Sequence, residues 1–432
     1  MKTTIRQTLA MMREEKLYSA MYIAGTALAI AFVMLIAEVY YVKMADIAPE
    51  VNRSKTYYLD AWGVKSDADV GVAITYDDYR NLFQKMQTPT CMTSTMIALW
   101  DYNKKINLKM PDGIHDKTVK PKMTDDRFFT MYQFRFLEGA PFSQDDFENG
   151  RQLVVITDEL AEQLYGKGVK AVGQTLRICH ADYRVCGVVE KPSALTEICA
   201  ADIWVPYTAE GMSEELGDVH FDRMPLALMF CVPNSKREDF MKELKEVEAR
   251  CNAVRKEDQV DVMVHFISHY DYVWKGISSA FDMGNGSLFW FLMPAILLLL
   301  LVPALNLSGM VASRMERRLS EMAIRKAFGA KRRTLLGQVI TENLILTLMG
   351  GALGLCLAWT ALYAWRDWVF YVFSANLNLY DCVPIIRGEM LFGPLIFLLS
   401  LVVCGLLNVL AATLPAWISL KKPIVESMNV KK

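Results

Sequence analysis

The chain has 432 residues, 53% of them hydrophobic, and a mean hydropathy of +0.18. An ordinary soluble domain holds about 45–50% apolar residues, so composition favours a membrane protein over a wholly soluble one. The formal charge of −1 balances opposite populations whose basic clusters sit beside apolar runs; topology and lipid attraction account for them, and no nucleic-acid partner is implied.

In chain order, residues 1–19 carry Lys2, Arg6, Arg13 and Lys16 and lead into the apolar run Ala20–Val42. A hydrocarbon core of about 30 Å needs about 20 such residues. The run is longer than a signal-peptide core and no A-x-A site follows, so a retained first span is expected.

Residues 43–286 form a stretch long enough for one large or two smaller cores. "SKTYYLDAW" reads as a strand, "TYDDYRNLFQKM" as a helix opened by Thr75, and "TSTMIALWDYN" as a second strand. A similar set closes the stretch: the strand "PLALMFCV", Asn234 as cap of the helix "SKREDFMKELKEVEARC", and the strand "QVDVMVHFI". Between them "RQLVVITDELAEQLYG", "GQTLRICHADYRVCGVVE" and "ADIWVPY" read as a strand, a helix and a β-hairpin inserted into a β-α-β frame. Six of the nine cysteines lie here, namely Cys91, Cys179, Cys186, Cys199, Cys231 and Cys251, and Cys382 lies farther on. An extracytoplasmic compartment permits disulfides, but spacing does not give their connectivity. Cys179 and Cys186 face one another only if the hairpin turn centres on Asp182-Tyr183; buried free thiols are the other reading.

Catalytic chemistry is absent from the pattern. All five histidines, His115, His180, His220, His265 and His269, fall in this stretch. His265 and His269 are four apart, yet a strand-to-loop pattern does not put them on one face and the Glu of a zinc-protease motif is missing, so no metal site is expected. "GKGVKAVGQT" holds Gly168 and Gly173 without the Lys-Ser/Thr ending of a phosphate loop, and no G-x-S-x-G elbow occurs. No catalytic residues are assigned, and any energy source belongs to another chain.

Three further apolar runs follow: Ser287–Met310, Leu335–Trp365 and Met390–Trp417. The connection 311–334 carries Arg314, Arg317, Arg318, Arg325, Lys326, Lys331, Arg332 and Arg333, and the tail 418–432 carries Lys421, Lys422, Lys431 and Lys432. The connection 366–389 has only Arg366 and Arg387. By the positive-inside rule both termini and 311–334 are cytoplasmic and 43–286 lies outside. The expected fold is an α-helical membrane protein of four transmembrane helices, in the inner (cytoplasmic) membrane. A large α+β extracytoplasmic domain separates helices one and two.

Within 311–334, Met315, Leu319, Met322, Ala323 and Ala327 recur at helical spacing from Arg314 to Gly329. Glu321 and Arg325 have the favourable i, i+4 order, and Gly329 is a helix stop. Such a stripe suits a lipid interface or a docked protein equally well. Glu342, about two turns into the third span, calls for a structural ion pair with a basic residue such as Arg332 or Arg333. Gly350 and Gly354 are a small-xxx-small pair for close helix packing, and Pro294 and Pro303 are placed to kink the second span.

"SEMAIRKAFGAKRRTLLGQVITENLIL" resembles the segment that marks permeases of the MacB/FtsX/LolC-E family of ABC transporters. Glu321, Met322, Ala323, Ile324, Arg325, Lys326, Ala327, Phe328, Gly329, Ala330 and Glu342 stand in the matching places. "RFFTMYQFRFLEGAPFS" resembles the family's F-F-x-x-F-x-F-x-x-G-x-x-F element through Phe128, Phe129, Phe134, Phe136, Gly139 and Phe142, with Tyr132 interposed. "PAWISLKKPIVESMN" resembles its C-terminal ending, with Ser419 in place of the usual Ala. The resemblance implies a Porter-like part over 50–125 and 222–280 and a Sabre-like part over 126–221. It implies that the 321–330 segment is a coupling helix seated in a separate ABC ATPase subunit, which binds the ATP and magnesium; this chain holds no cofactor. A second permease copy or a related permease completes the pair, with a periplasmic adaptor and an outer-membrane channel as further partners. MacB carries an ATPase domain ahead of its first span, where this sequence has 19 residues. An FtsX-like regulator of a cell-wall hydrolase and a LolC/E-like lipoprotein-releasing permease are the alternatives within the resemblance.

Overall fold

The computed structural model describes residues 12–65, 74–96, 106–110, 116–178, 181–193, 196–209, 226–254, 261–280, 308–309, 311–316, 318–365 and 394–421. They fall into two compact units, one holding residues 42–281 and the other the helical segments on either side of it.

The first element, α1 (Lys16–Met44), ends inside the 42–281 unit. There Arg53 satisfies its terminal carbonyls, donating through Nη1 to Val42 O at 2.6 Å and Ala45 O at 3.1 Å. Arg53 Nε pairs with Glu50 Oε2 at 2.7 Å, and the other oxygen of Glu50 accepts the Cys199 N–H at 3.0 Å. Buried helix ends need such partners, and a guanidinium serves both the carbonyls and the carboxylate.

β1 (Thr56–Lys65) follows as its alternation requires. Thr75 opens α2 (Tyr76–Asp78) through a reciprocal capping box with Asp78, and the chain runs straight into a π turn, Tyr79–Phe83, that buries both end residues. β2 (Cys91–Met96) is the expected strand, and the rest of "TSTMIALWDYN" lies outside the described residues. β3 (Ile106–Lys109) and β4 (Asp116–Val119) form a separate hairpin. Then come β5 (Pro121–Thr124), α3 (Phe128–Met131), β6 (Phe136–Gly139), α4 (Gln144–Glu148), β7 (Leu153–Thr157), α5 (Asp158–Tyr165), β8 (Thr175–Ile178), β9 (Ala181–Val189) and β10 (Ile203–Pro206). β11 (Leu226–Cys231), α6 (Arg237–Val254), β12 (Asp261–Ser268) and α7 (His269–Ala280) close the unit.

Three local expectations change. Asn234 lies inside a 3-10 turn whose cap position is Pro233, and α6 starts only at Arg237, because the proline fixes the entry angle. The β8–β9 hairpin pairs Ile178 with Ala181, so its turn does not centre on Asp182-Tyr183, and Cys186 is a free thiol donating to Val154 O. Cys91, Cys199 and Cys231 are free thiols as well. His265 ends up exposed on β12 and His269 buried at the start of α7, bonded to Tyr58 OH and to Lys43 O.

Among the described residues ten strands share one sheet, in the order β12-β1-β11-β2-β5-β10-β7-β9-β6 with β8 beside β9. β12, β1, β11 and β2 come from the two ends of the unit and pair antiparallel; β5–β10 and β7–β9 are parallel. The phenylalanine-rich segment gathers into the core of the second half. Phe129 lies 5.3 Å from Phe134, 5.6 Å from Phe136 and 5.5 Å from Phe142, and Phe134 lies 5.1 Å from the fully buried Trp204. Edge-to-face aromatic pairs add about 0.5–1.5 kcal/mol each beyond their burial.

Among the described residues, three helices are long and apolar enough to cross a membrane: α1, α9 (Arg332–Ala364) and the stretch Phe397–Ile418 of α10 (Pro394–Lys421). The expected span Ser287–Met310 lies outside the described residues except for the helical 308–309, and the connection 366–389 lies outside them entirely. α8 (Leu319–Ala327) precedes α9.

Asp125 links the sheet to the π turn and carries a pH signature. Its buried carboxylate accepts from Thr93 Oγ1, from Ser94 N at 2.9 Å and Oγ at 3.0 Å, and from Tyr79 OH at 3.1 Å. Burial pushes it up from 3.8 to about 6 despite these donors. The folded state therefore holds this proton more tightly than the unfolded chain, and stability from this group falls as pH rises from about 4 to about 6. The cost of Asp125→Asn should be larger at pH 4 than at pH 7.5, by up to about 3 kcal/mol. Thermal unfolding followed by tryptophan fluorescence at both pH values measures it, and a pH-independent cost refutes the shifted carboxyl.

Candidate functional site

The segment singled out by its charge is held against the helical unit on one side only. The expected continuous helix from Arg314 to Gly329 is broken: residues 311–316 are helical, Arg318 stands at the N-cap, and α8 begins at Leu319. α8 ends as expected. Gly329 has φ +90°, and the Ala330 N–H returns to Arg325 O at 3.0 Å. Arg325 and Lys326 occupy the last turn, where the helix dipole favours cations. Partial burial and the neighbouring Arg332 lower the Lys326 ammonium below its ordinary value.

Of the stripe read from periodicity, Met315 and Met322 face inward. Met315 is buried and Met322 and Ala330 are half-buried in a cluster with Tyr22, Val311, Leu335 and Val339. Ala327 is exposed, and the side chains of Leu319, Glu321 and Ala323 are outside the described residues. The free apolar face is Ile324, 50% exposed, and Phe328, 89% exposed, one turn apart with Arg325 beside them. Arg325 Nη1 donates to Gln338 Oε1 at 2.9 Å.

Glu342 is buried and ionically paired, but not with Arg332 or Arg333. Arg314 Nη2 stands 3.1 Å and Arg318 Nη1 3.4 Å from its Oε2, and Gln338 Nε2 donates to Oε1 at 3.1 Å. The helical repeat explains the difference. Gln338, four residues back, shares the face of Glu342, whereas Arg333, nine residues back, points the opposite way. Removing one partner of a buried pair costs about 3–5 kcal/mol. Sequence reading treated Arg314 and Arg318 only as topogenic charges and passed over Gln338; the i, i+4 spacing of Gln338 and Glu342 was the available signal.

Farther along α9, Thr347 Oγ1 accepts from Asn408 Nδ2 of α10 at 3.2 Å and lies 3.3 Å from Tyr22 OH of α1. Gly350 and Gly354 pack on α1 of the same chain. A Cβ on Gly350 would stand 2.8 Å from Thr26 Cβ, and one on Gly354 2.6 Å from Ala27 O. Among the described residues no group of three or more His, Cys, Asp or Glu side chains is arranged to hold a metal ion.

Two family models match the chain: MacB-like periplasmic core domain over residues 19–247 and FtsX-like permease C-terminal over residues 293–424. A macrolide export ATP-binding/permease protein MacB of Chromobacterium violaceum is 25% identical over 289 residues, covering 67% of this chain and 40% of the relative. A probable export ATP-binding/permease protein of Pseudomonas fluorescens is 25% identical over 236 residues, covering 54% of this chain and 34% of the relative. The chain thus spans 40% or less of the length of these two relatives. Among solved structures, the periplasmic region of MacB from Actinobacillus actinomycetemcomitans matches 49% of this chain and 89% of that chain at 11% identity, with a TM-score of 0.35.

The α1–α9 approach sets a measurable constraint. Gly354→Ala should destabilise the detergent-solubilised chain by about 1–3 kcal/mol, since the Ala27 carbonyl cannot yield as a side chain would. Gly405→Ala, where nothing lies within 4 Å, is the control and should be neutral or slightly stabilising in thermal unfolding. Equal effects at the two positions contradict the close packing.

Proposed function

Since the chain belongs to the family that joins a MacB-like periplasmic core domain to an FtsX-like permease C-terminal domain, we propose that it is a permease subunit of an ABC transporter driven by a separate ATPase subunit. That partner binds the ATP and magnesium, and this chain converts its closure into movement of the periplasmic domain, for efflux or mechanotransmission. In this reading both termini and 311–334 face the cytoplasm, as their basic residues favour. Residues 43–286 face the periplasm. The pairing of β12, β1, β11 and β2 from the two ends of the outer segment supports a Porter-like part built from 50–125 and 222–280, with 126–221 as a Sabre-like insert.

The observation that carries the reading is the free face of α8. Leaving a large apolar side chain in water forgoes about 1.5–3 kcal/mol, and Ile324 and Phe328 are exposed together on a short helix whose other side is anchored. An apolar pair one turn apart, flanked by Arg325 and Lys326, is the pattern of a helix laid into a groove with an acidic rim. The groove belongs to the ATPase. Two permeases act as a pair, this chain with a second copy or with a related permease, and a periplasmic adaptor and outer-membrane channel extend the path where the substrate leaves the cell.

Exchange of Arg325 and Phe328 for Glu tests the docking. The double variant should leave the apolar helices folded, because both side chains are exposed and Arg325 gives up a hydrogen bond only at the exposed end of α8. Its permease-dependent ATP hydrolysis, with the ATPase that co-purifies with the chain, should fall about tenfold or more, equivalent to about 1.4 kcal/mol of docking energy. Undiminished hydrolysis removes the coupling role from α8.

A further inference from the structure

A continuous set of side-chain contacts runs from α8 to the start of α1 through five residues. Arg325 donates to Gln338 at 2.9 Å, Gln338 donates to Glu342 at 3.1 Å, and Arg314 Nη2 meets Glu342 at 3.1 Å. Arg314 Nε then pairs with Glu15 Oε2 at 3.1 Å, and its guanidinium lies 5.0 Å from the centre of the Tyr18 ring. Arg314 and Glu342 are 6% and 5% exposed in their side chains, Glu15 28%. We propose that these residues form a polar relay through which displacement of α8 reaches α1, with Gln338 and Arg314 as its positioning residues. The proposal rests on the docking reading given above.

The chemistry of each residue fits its place. Gln338 stands between a cation and an anion, and a carboxamide offers an acceptor to one and a donor to the other. A Glu there would repel Glu342, a Lys or Arg would repel Arg325, and an Asn is one methylene shorter. Arg314 must serve two carboxylates, Glu342 on α9 and Glu15 just ahead of α1: its Nη2 donates to Glu342, and its Nε lies at ion-pair distance from Glu15 without forming a hydrogen bond. A planar guanidinium can turn a different edge to each, whereas an ammonium acts as a single point charge. Apolar contacts slide past one another at little cost, but a paired charge in a low-dielectric setting cannot leave one partner without finding another. Displacement at one end is therefore felt at the other.

Contiguity alone does not establish coupling, so the test reads coupling directly. The full chain is placed in nanodiscs of phosphatidylethanolamine and phosphatidylglycerol, and amide hydrogen exchange is followed in residues 12–24 and 319–327. Gln338→Leu removes both hydrogen bonds and leaves Ile324, Arg325 and Phe328 in place. It should speed exchange about tenfold in both segments. Arg314→Lys should do the same, and the two changes together should do no more than either alone, as links in series require. Faster exchange confined to 319–327, or additive effects, overturns the relay. With the co-purifying ATPase and ATP, Gln338→Leu should keep the ATPase bound and lose most permease-dependent hydrolysis. Spread of exchange into 12–24 with hydrolysis unchanged leaves the relay standing and refutes the docking reading instead.

Discussion

A buried carboxylate organises the helical unit. Glu342 is held away from solvent, where an unpaired charge is expensive, and its cationic partners must come from outside α9 because Arg332 and Arg333 point elsewhere. Arg314 and Arg318 meet that need only if residues 311–318 lie along the early turns of α9. That requirement fixes where α8 can begin. Gly329, in a left-handed conformation, then returns the chain to Lys331 and the start of α9. Deeper in, Thr347 joins α1, α9 and α10 through Tyr22 and Asn408. Lipid tails are as apolar as leucine, so between helices such polar contacts and the close approach at Gly350 and Gly354 supply the specificity that hydrophobic burial supplies in water.

The 42–281 unit solves the opposite problem, since water surrounds it and burial is available. Its sheet changes character along its width. One end is antiparallel and closes with chain segments far apart in sequence; the other contains the parallel pairs and the cluster around Phe129, Phe134 and Trp204. Two of the carboxylates that enter this interior are bound many times over. Asp125 has four donors, and Glu50 and Arg53 satisfy one another, two carbonyls and an amide N–H. Saturated networks of this kind are tolerated where half-satisfied ones are not.

What the sequence disclosed follows from the range of the forces involved. Strand alternation, the first, third and fourth apolar runs, the Thr75 cap and the Gly329 stop are local signals, and each reappears in the structure. Lost were features set by contacts distant in sequence. Periodicity gave Met315 and Met322 as inward, missed that Ala327 is exposed, and could not show that Ile324 and Phe328 would be left exposed. The need of Glu342 for a cation was legible, and its identity was not, because Arg332 and Arg314 differ only in which helical face and which segment they occupy. The π turn at Tyr79–Phe83 leaves no compositional trace: one extra residue per turn is accommodated so that Tyr79 can reach Asp125 and Phe83 can enter the core.

The size of α8 decides how it must work. Nine residues are fewer than the about 12–15 that an isolated helix needs in water, so its shape is borrowed from its surroundings. Met322 and Ala330 pack on the cluster below, Arg325 is tethered to Gln338, and the terminal carbonyls are closed by the Gly329 turn. Two guanidiniums, Arg314 and Arg318, meet two carboxylates, Glu15 and Glu342. The same contacts that keep Ile324 and Phe328 presented therefore also make the helix unable to move without disturbing its base, which is what a docking face needs if it is to transmit force and not absorb it.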